Sequence, residues 1–294
     1  METESKFKEV KLFMPNTPEA PRTQPTADSN EPCFCGSGRP MRLCHKTASA
    51  DSRAAQINRL YQDVERTIED YRAGSPKQPP CHEGCSSCCS DYFPVSQVEF
   101  ELLLVYMERH WSREEIREAF GRAEENLAAL ERENPAMHAS LTHTVDRKGE
   151  LEAVRRHAGR NSFPCPLLDA DSGRCRVYPA RPFLCRTHGS SHTFYGSWRE
   201  RLQSERVCEH IDGGRSHRKI TPNVADLWPR YEELADVRIG PQRRLLRQYP
   251  IFYWLVLYGR HGNGQTAKLG SPDNFDLPLD EHNARMAAHG AQTN

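Results

Sequence analysis

Apolar residues recur every three or four positions in three stretches of this chain, and each stretch predicts an amphipathic helix. The first carries Ile57, Leu60, Tyr61, Val64, Ile68 and Tyr71 on one stripe, and the segment Ala73 to Pro80 stops it. The second opens at Ser96 with Glu99 three residues on, the reciprocal capping pattern, and runs through a Leu- and Val-rich segment to Met107. Ser112 and Glu115 repeat that signature ahead of Ile116, Phe120, Ala123, Leu127 and Leu130. These two helices predict a hairpin.

Elsewhere the pattern is weaker. Residues 135–160 are polar, end in the basic run Arg155, Arg156, His157 and Arg160, and predict a solvated helix. From Phe163 the texture changes to short strand and turn: Asp171-Ser172-Gly173 is a turn signal, and Cys175 to Tyr178 predicts a strand after it. Further helix is expected over Val224 to Val237, interrupted by Pro229, and over Gln242 to Leu257, broken at Pro250. The apolar run Ile251 to Tyr258 is far shorter than the ~20 residues a membrane span needs, so it reads as a buried element. No alternation of strands and long helices points to a parallel sheet.

Composition narrows the picture. Of the 294 residues, 40 are basic and 40 acidic, so no global field recruits nucleic acid or an anionic membrane. A hydrophobic content of 37% leaves little apolar material for two large cores. Residues 1–30, with Pro15, Pro18, Pro21 and Pro25 among small polar residues, read as a disordered arm.

The eleven cysteines change the picture most. Met1 to Val10 is charged and polar, without the apolar stretch of a secretion signal, so the expected location is the reducing cytoplasm. There, clustered thiols are ligands or catalysts more often than disulfides. Cys33-Phe-Cys35-Gly-Ser-Gly is followed after an eight-residue gap by Cys44-His45. A segment of that length, Glu31 to Lys46, has no core of its own and folds only if cross-linked; tetrahedral zinc in such small peptides contributes on the order of 10–16 kcal/mol.

This pattern resembles the SEC-C motif, a zinc-binding appendage of many bacterial proteins that is best known from the tail of the SecA ATPase. The resemblance implies zinc held by Cys33, Cys35, Cys44 and His45, and a role in docking a protein partner.

The second system begins as Cys81-x3-Cys85-x2-Cys88-Cys89, with Gly84 letting the chain fold back, and resumes as Cys165, Cys175 and Cys185. Around the later cysteines lie Tyr178, Arg181, Pro182, Arg186, His188 and His192. The pattern resembles the CxxCxxCC, or YkgJ-like, family of zinc- or iron-chelating domains, whose members include the flagellin lysine-N-methylases. The resemblance implies the seven cysteines as ligands, with Tyr178, Arg181 and Pro182 as supporting positions.

Seven ligands exceed the four that one zinc or one cubane cluster needs. Either two metals bind, or one iron–sulfur cluster uses four thiolates and the rest act otherwise. Cys208 would bring the set to eight, although as a single cysteine outside the pattern it reads as a small buried residue. His188 and His192 could complete a shell or act as acid or base. Arg181 and Arg186 would lower thiol pKa and offset cluster charge.

The expected fold is mainly α: a helical domain with an irregular cysteine-rich metal-binding core and a short β-hairpin, plus a small zinc knuckle. The expected division is a disordered arm (1–30), the knuckle (31–47), a helix and Pro-rich linker (48–80), the chelating domain (81–260) and a polar tail (261–294). The leading function is binding of zinc or an iron–sulfur cluster in the main domain. One alternative is a cluster-dependent lysine N-methyltransferase, with S-adenosylmethionine as donor. Cys81, Cys85 and Cys88 do have the spacing by which radical S-adenosylmethionine enzymes hold a cluster, but helices rather than a strand–helix barrel are predicted to follow. Another alternative is a structural adaptor in which every metal is zinc.

Overall fold

The computed structural model describes residues 53–142, 161–192, 208–211, 218–235, 237–239, 242–244 and 248–261, with 30, 38–40 and 43 besides. Its long helices are α1 (Arg53–Gly74), α2 (Gln97–His110) and α3 (Arg113–Glu133). Shorter ones are α4 (Pro135–Thr142), α5 (Phe183–Thr187), α6 (Trp228–Ala235) and α7 (Ile251–His261).

Helix α2 is apolar nearly all round because it is buried on two sides. Phe100, Leu103, Leu104 and Met107 enter a core shared with Ile116, Ala123, Leu127 and Leu130 of α3 and Phe252, Leu255 and Val256 of α7. Val98, Leu102 and Val105 enter a second core with Ile57, Leu60, Val64 and Ile68 of α1, Phe183 of α5 and Tyr231 and Leu234 of α6. Each such large side chain contributes about 1.5–3 kcal/mol on leaving water.

Both capping boxes form. Ser96 N–H and Oγ–H donate to Glu99 Oε2 at 2.9 and 2.7 Å. Ser112 N–H donates to Glu115 Oε2 at 2.7 Å while Glu115 N–H donates to Ser112 Oγ at 3.2 Å.

The expected hairpin partnership is only part of the arrangement, since α3 packs most extensively along α7. The aromatic-rich α7 offers it a broad apolar face, and the two helices approach closely at Gly259, where a Cβ would stand 2.7 Å from Phe120 Cδ1. The start of α7 is pinned to the start of α2. Val95 and Tyr249 exchange backbone hydrogen bonds at 2.9 and 3.1 Å, and Trp254 Nε1 donates to Val95 O at 2.8 Å.

Three expectations need correction. Pro250 does not interrupt a helix; its carbonyl accepts from Tyr253 and Trp254 N–H, so the helix starts just after it, while Gln242–Arg244 is extended and pairs antiparallel with Val237–Ile239. Pro229 likewise lies in the first turn of α6, where its missing N–H costs nothing. The strand expected over Cys175 to Tyr178 shrinks to one antiparallel bridge, Leu168 with Cys175, because Tyr178-Pro179-Ala180 turns at once into a 3-10 helix. Of the helix expected over 135–160, Pro135–Thr142 is helical and residues 143–160 lie outside the described part. Among the described residues no helix is long and apolar enough to cross a membrane.

Candidate metal centre

The first cysteine loop turns twice within nine residues. Gly84 takes φ +92°, which an L side chain rarely adopts, and Cys85 N–H closes a turn on His82 O at 3.2 Å. Ser87–Ser90 then forms a 3-10 turn closed by Asp91 N–H on Cys88 O at 3.0 Å. From the end of α1, Arg72 donates to Cys81 O at 2.6 Å and anchors the loop.

The second half of the pattern lies directly on the first. Cys165 N–H donates to Cys89 O at 2.7 Å and Asn161 N–H to Ser90 O at 2.8 Å. The expected Asp171–Gly173 turn forms, with Gly173 at φ +66° and its absent Cβ only 3.4 Å from Gly84 O. Cys185 follows on α5, whose first N–H, from Phe183, donates to Glu99 Oε1 at 2.6 Å.

Glu99 is almost completely buried and is the hub of this junction. Besides Phe183 and Ser96, it accepts from Tyr61 Oη at 3.1 Å and Tyr231 Oη at 3.0 Å, so one carboxylate ties α1, α2, α5 and α6 together. Beside it, Arg181 and Arg186, both buried, converge on Glu65 Oε1. Arg186 also donates to Pro179 O and lies 4.3 Å from the Tyr61 ring centre. The two guanidinium charges hold Glu65 below its ordinary pKa against the opposing effect of burial, which is the largest influence on it.

All seven cysteines of the second pattern border one cavity of about 90 Å³, with Tyr178, Arg181 and Pro182 on its wall. Phe93, Phe163, Val177 and Phe252 make much of the remaining wall apolar. Burial in this setting pushes the Cys165 thiol up to about 12 and raises Cys81, Cys175 and Cys185, neighbouring thiols adding to the effect. Cys88 is raised as well, first by its hydrogen bond with Cys89 and then by burial.

The arginines do lower neighbouring thiols, as expected, but they do not set the net direction. Arg181 does pull Cys81 and Cys175 down, but desolvation outweighs it at both. The eight cysteines among the described residues are free thiols, and without metal the six with raised pKa keep their protons at neutral pH.

Cys208, set aside by the sequence pattern, is buried at this site. A Cβ on Gly189 would lie 3.1 Å from Cys208 Sγ and 3.6 Å from Cys81 Cβ, and His210, two residues on, hydrogen-bonds Ser87 inside the first loop. No spacing rule in the sequence pointed there; only the fold brings residue 208 back.

His188 stands behind the cavity wall, its Nε2 3.7 Å from Asp91 Oδ2 and its ring 5.1 Å from that of Phe93. His192 is held by Thr221 Oγ1 at 2.9 Å and by backbone bonds to Pro222 and Val224, a structural tie. Cys33, Cys35, Cys44 and His45 lie outside the described residues.

Soft thiolates suit both zinc and iron–sulfur chemistry, so the donor set fits either. The number of thiols is more selective. A lone tetrahedral zinc takes four ligands, and seven cysteines border this cavity. Among the described residues no three Cys, His, Asp or Glu side chains are arranged to hold one ion. The cavity the cysteines border is several times the ~10–15 Å³ that one water occupies.

No curated protein and no solved structure matches this chain. Residues 80–209, the segment that supplies the cavity's seven cysteines and includes Cys208, match the model of the CxxCxxCC family, described as "Putative zinc- or iron-chelating domain", and this match supports a metal-binding role for that segment.

Proposed function

We propose that residues 81–208 hold a polynuclear metal–thiolate centre, with iron–sulfur favoured over a single zinc. The observation that carries this reading is the convergence of seven cysteines, from two distant stretches of chain, on one cavity, more thiols than the four that one ion takes. Bound iron–sulfur would supply one-electron chemistry. This chain's own part is to present the thiols on loops fixed by Glu99, Arg72 and the Cys165–Cys89 hydrogen bond, behind an aromatic wall that limits water. The N-terminal Cys33, Cys35, Cys44 and His45 are read as a separate zinc knuckle that docks a protein partner, on the strength of their sequence pattern.

Metal and acid-labile sulfide analysis of protein purified without oxygen tests the main reading. More than one iron per chain with matching sulfide, and brown colour, is expected. A colourless protein with a single zinc beyond the knuckle and no sulfide would overturn it.

A further inference from the structure

Arg181 brings to the cavity a buried donor that no protein atom satisfies. Its side chain is 9% exposed, its Nη2 donates to Glu65 at 3.1 Å, and its guanidinium carbon sits 4.0 Å from the centre of the Tyr178 ring. Those contacts fix the plane of the group and leave Nε without a hydrogen-bond partner. An unmet buried donor costs about 1–3 kcal/mol, and more when charged, so a site built this way expects an acceptor.

The residues that border the cavity with Arg181 offer sulfur on several sides, Cys81, Cys175 and Cys185 among them. A protonated thiol is a poor acceptor, whereas a metal-bound thiolate is a good one. Arg186 makes the comparison clear. It shares Glu65 and also has an unmet Nε, but it is spent on Pro179 O and the Tyr61 ring and does not border the cavity.

We propose that Arg181 is a positioning residue of the occupied metal centre: its Nε–H donates to a metal-bound thiolate at the cavity wall, and its charge offsets that of the centre. The inference rests on the metal-binding reading above but not on the choice between zinc and iron.

Cobalt(II), which thiolate sites of both kinds accept, is the probe. The full chain is loaded anaerobically, and the sulfur-to-cobalt charge-transfer band and the affinity in chelator competition are compared for the wild type, Arg181→Gln, Arg181→Lys and Arg186→Lys. The N-terminal cysteines contribute equally to all four. Arg181→Gln should move the band to lower energy and weaken binding about 10–100-fold, the usual effect of removing a partner of a ligand. Arg181→Lys, which keeps the charge but not the fork, should fall between and still reports if the glutamine variant does not fold. Arg186→Lys should lower thermal stability without moving the band. An unmoved band and unchanged affinity in either folded Arg181 variant would overturn the proposal. A wild type that takes up no cobalt beyond the N-terminal site would instead overturn the metal reading itself.

Discussion

Cys165 and Cys89, 76 positions apart in sequence, are joined by a backbone hydrogen bond of 2.7 Å from the N–H of the first to the carbonyl of the second. This bond makes one wall of the two halves of the cysteine pattern. Between them run α2, α3 and α4, so the loop that metal would close contains most of the first core.

Metal binding should therefore be coupled to the folding of those helices. Cys185→Ser is expected to lose most metal from the main centre and to make the segment around α2 and α3 cleavable by protease. Metal analysis and limited proteolysis of the same sample check this. Full metal content with wild-type resistance would contradict it.

Glu99 is the second lever. Replacing it with Ala leaves buried donors from Ser96, Tyr61, Tyr231 and Phe183 without an acceptor. A loss of about 3–5 kcal/mol in urea unfolding is expected, and Glu99→Gln, which keeps some acceptor capacity, should lose less. A loss under ~1 kcal/mol in the alanine variant would show that water replaces the carboxylate.

The thiols set a pH dependence with a definite sign. Their folded-state pKa values lie above the ordinary value of 9.0, with Cys165 at about 12. Above pH ~9 the unfolded chain loses protons that the folded one keeps, so the metal-free protein should lose stability as pH rises through that range. Metal binding, which must displace those protons, should in contrast strengthen from pH ~6 to ~8 and release protons measurable in weakly buffered solution. Metal-free stability that rises between pH ~8 and ~10 would contradict the burial argument.

The N-terminal site should behave independently. Cys35→Ser is expected to remove about one zinc equivalent and leave iron and sulfide unchanged. Loss of both on this single change would show shared ligands.

Close packing of α3 on α7 gives a further check. Gly259→Val places a branched Cβ against Phe120, where contact would begin at 2.7 Å, and should cost about 1–3 kcal/mol. Phe120→Ala in the same chain should recover part of that loss.

Local chemistry alone determined much of this protein. The stripes at Ile57 to Ile68 and Ile116 to Leu130, and the capping pairs Ser96–Glu99 and Ser112–Glu115, are set by residues within one or two turns, so their helices were legible without a fold. The two clusters of cysteines were legible for the same reason. Tertiary structure decided the rest. That Glu99 is a four-element hub as well as a cap, that Cys208 returns to Cys81, and that α3 prefers α7 all depend on contacts between residues tens to more than a hundred positions apart. Pro229 and Pro250 are ambiguous in sequence because a proline both ends one helix and suits the first turn of the next, and only the packing of Tyr231 and Trp254 selects which. The net direction of the thiol pKa values was likewise decided by the fold: the lowering effect of Arg181 was legible in the chain, but the burial that outweighs it exists only once the cavity is formed.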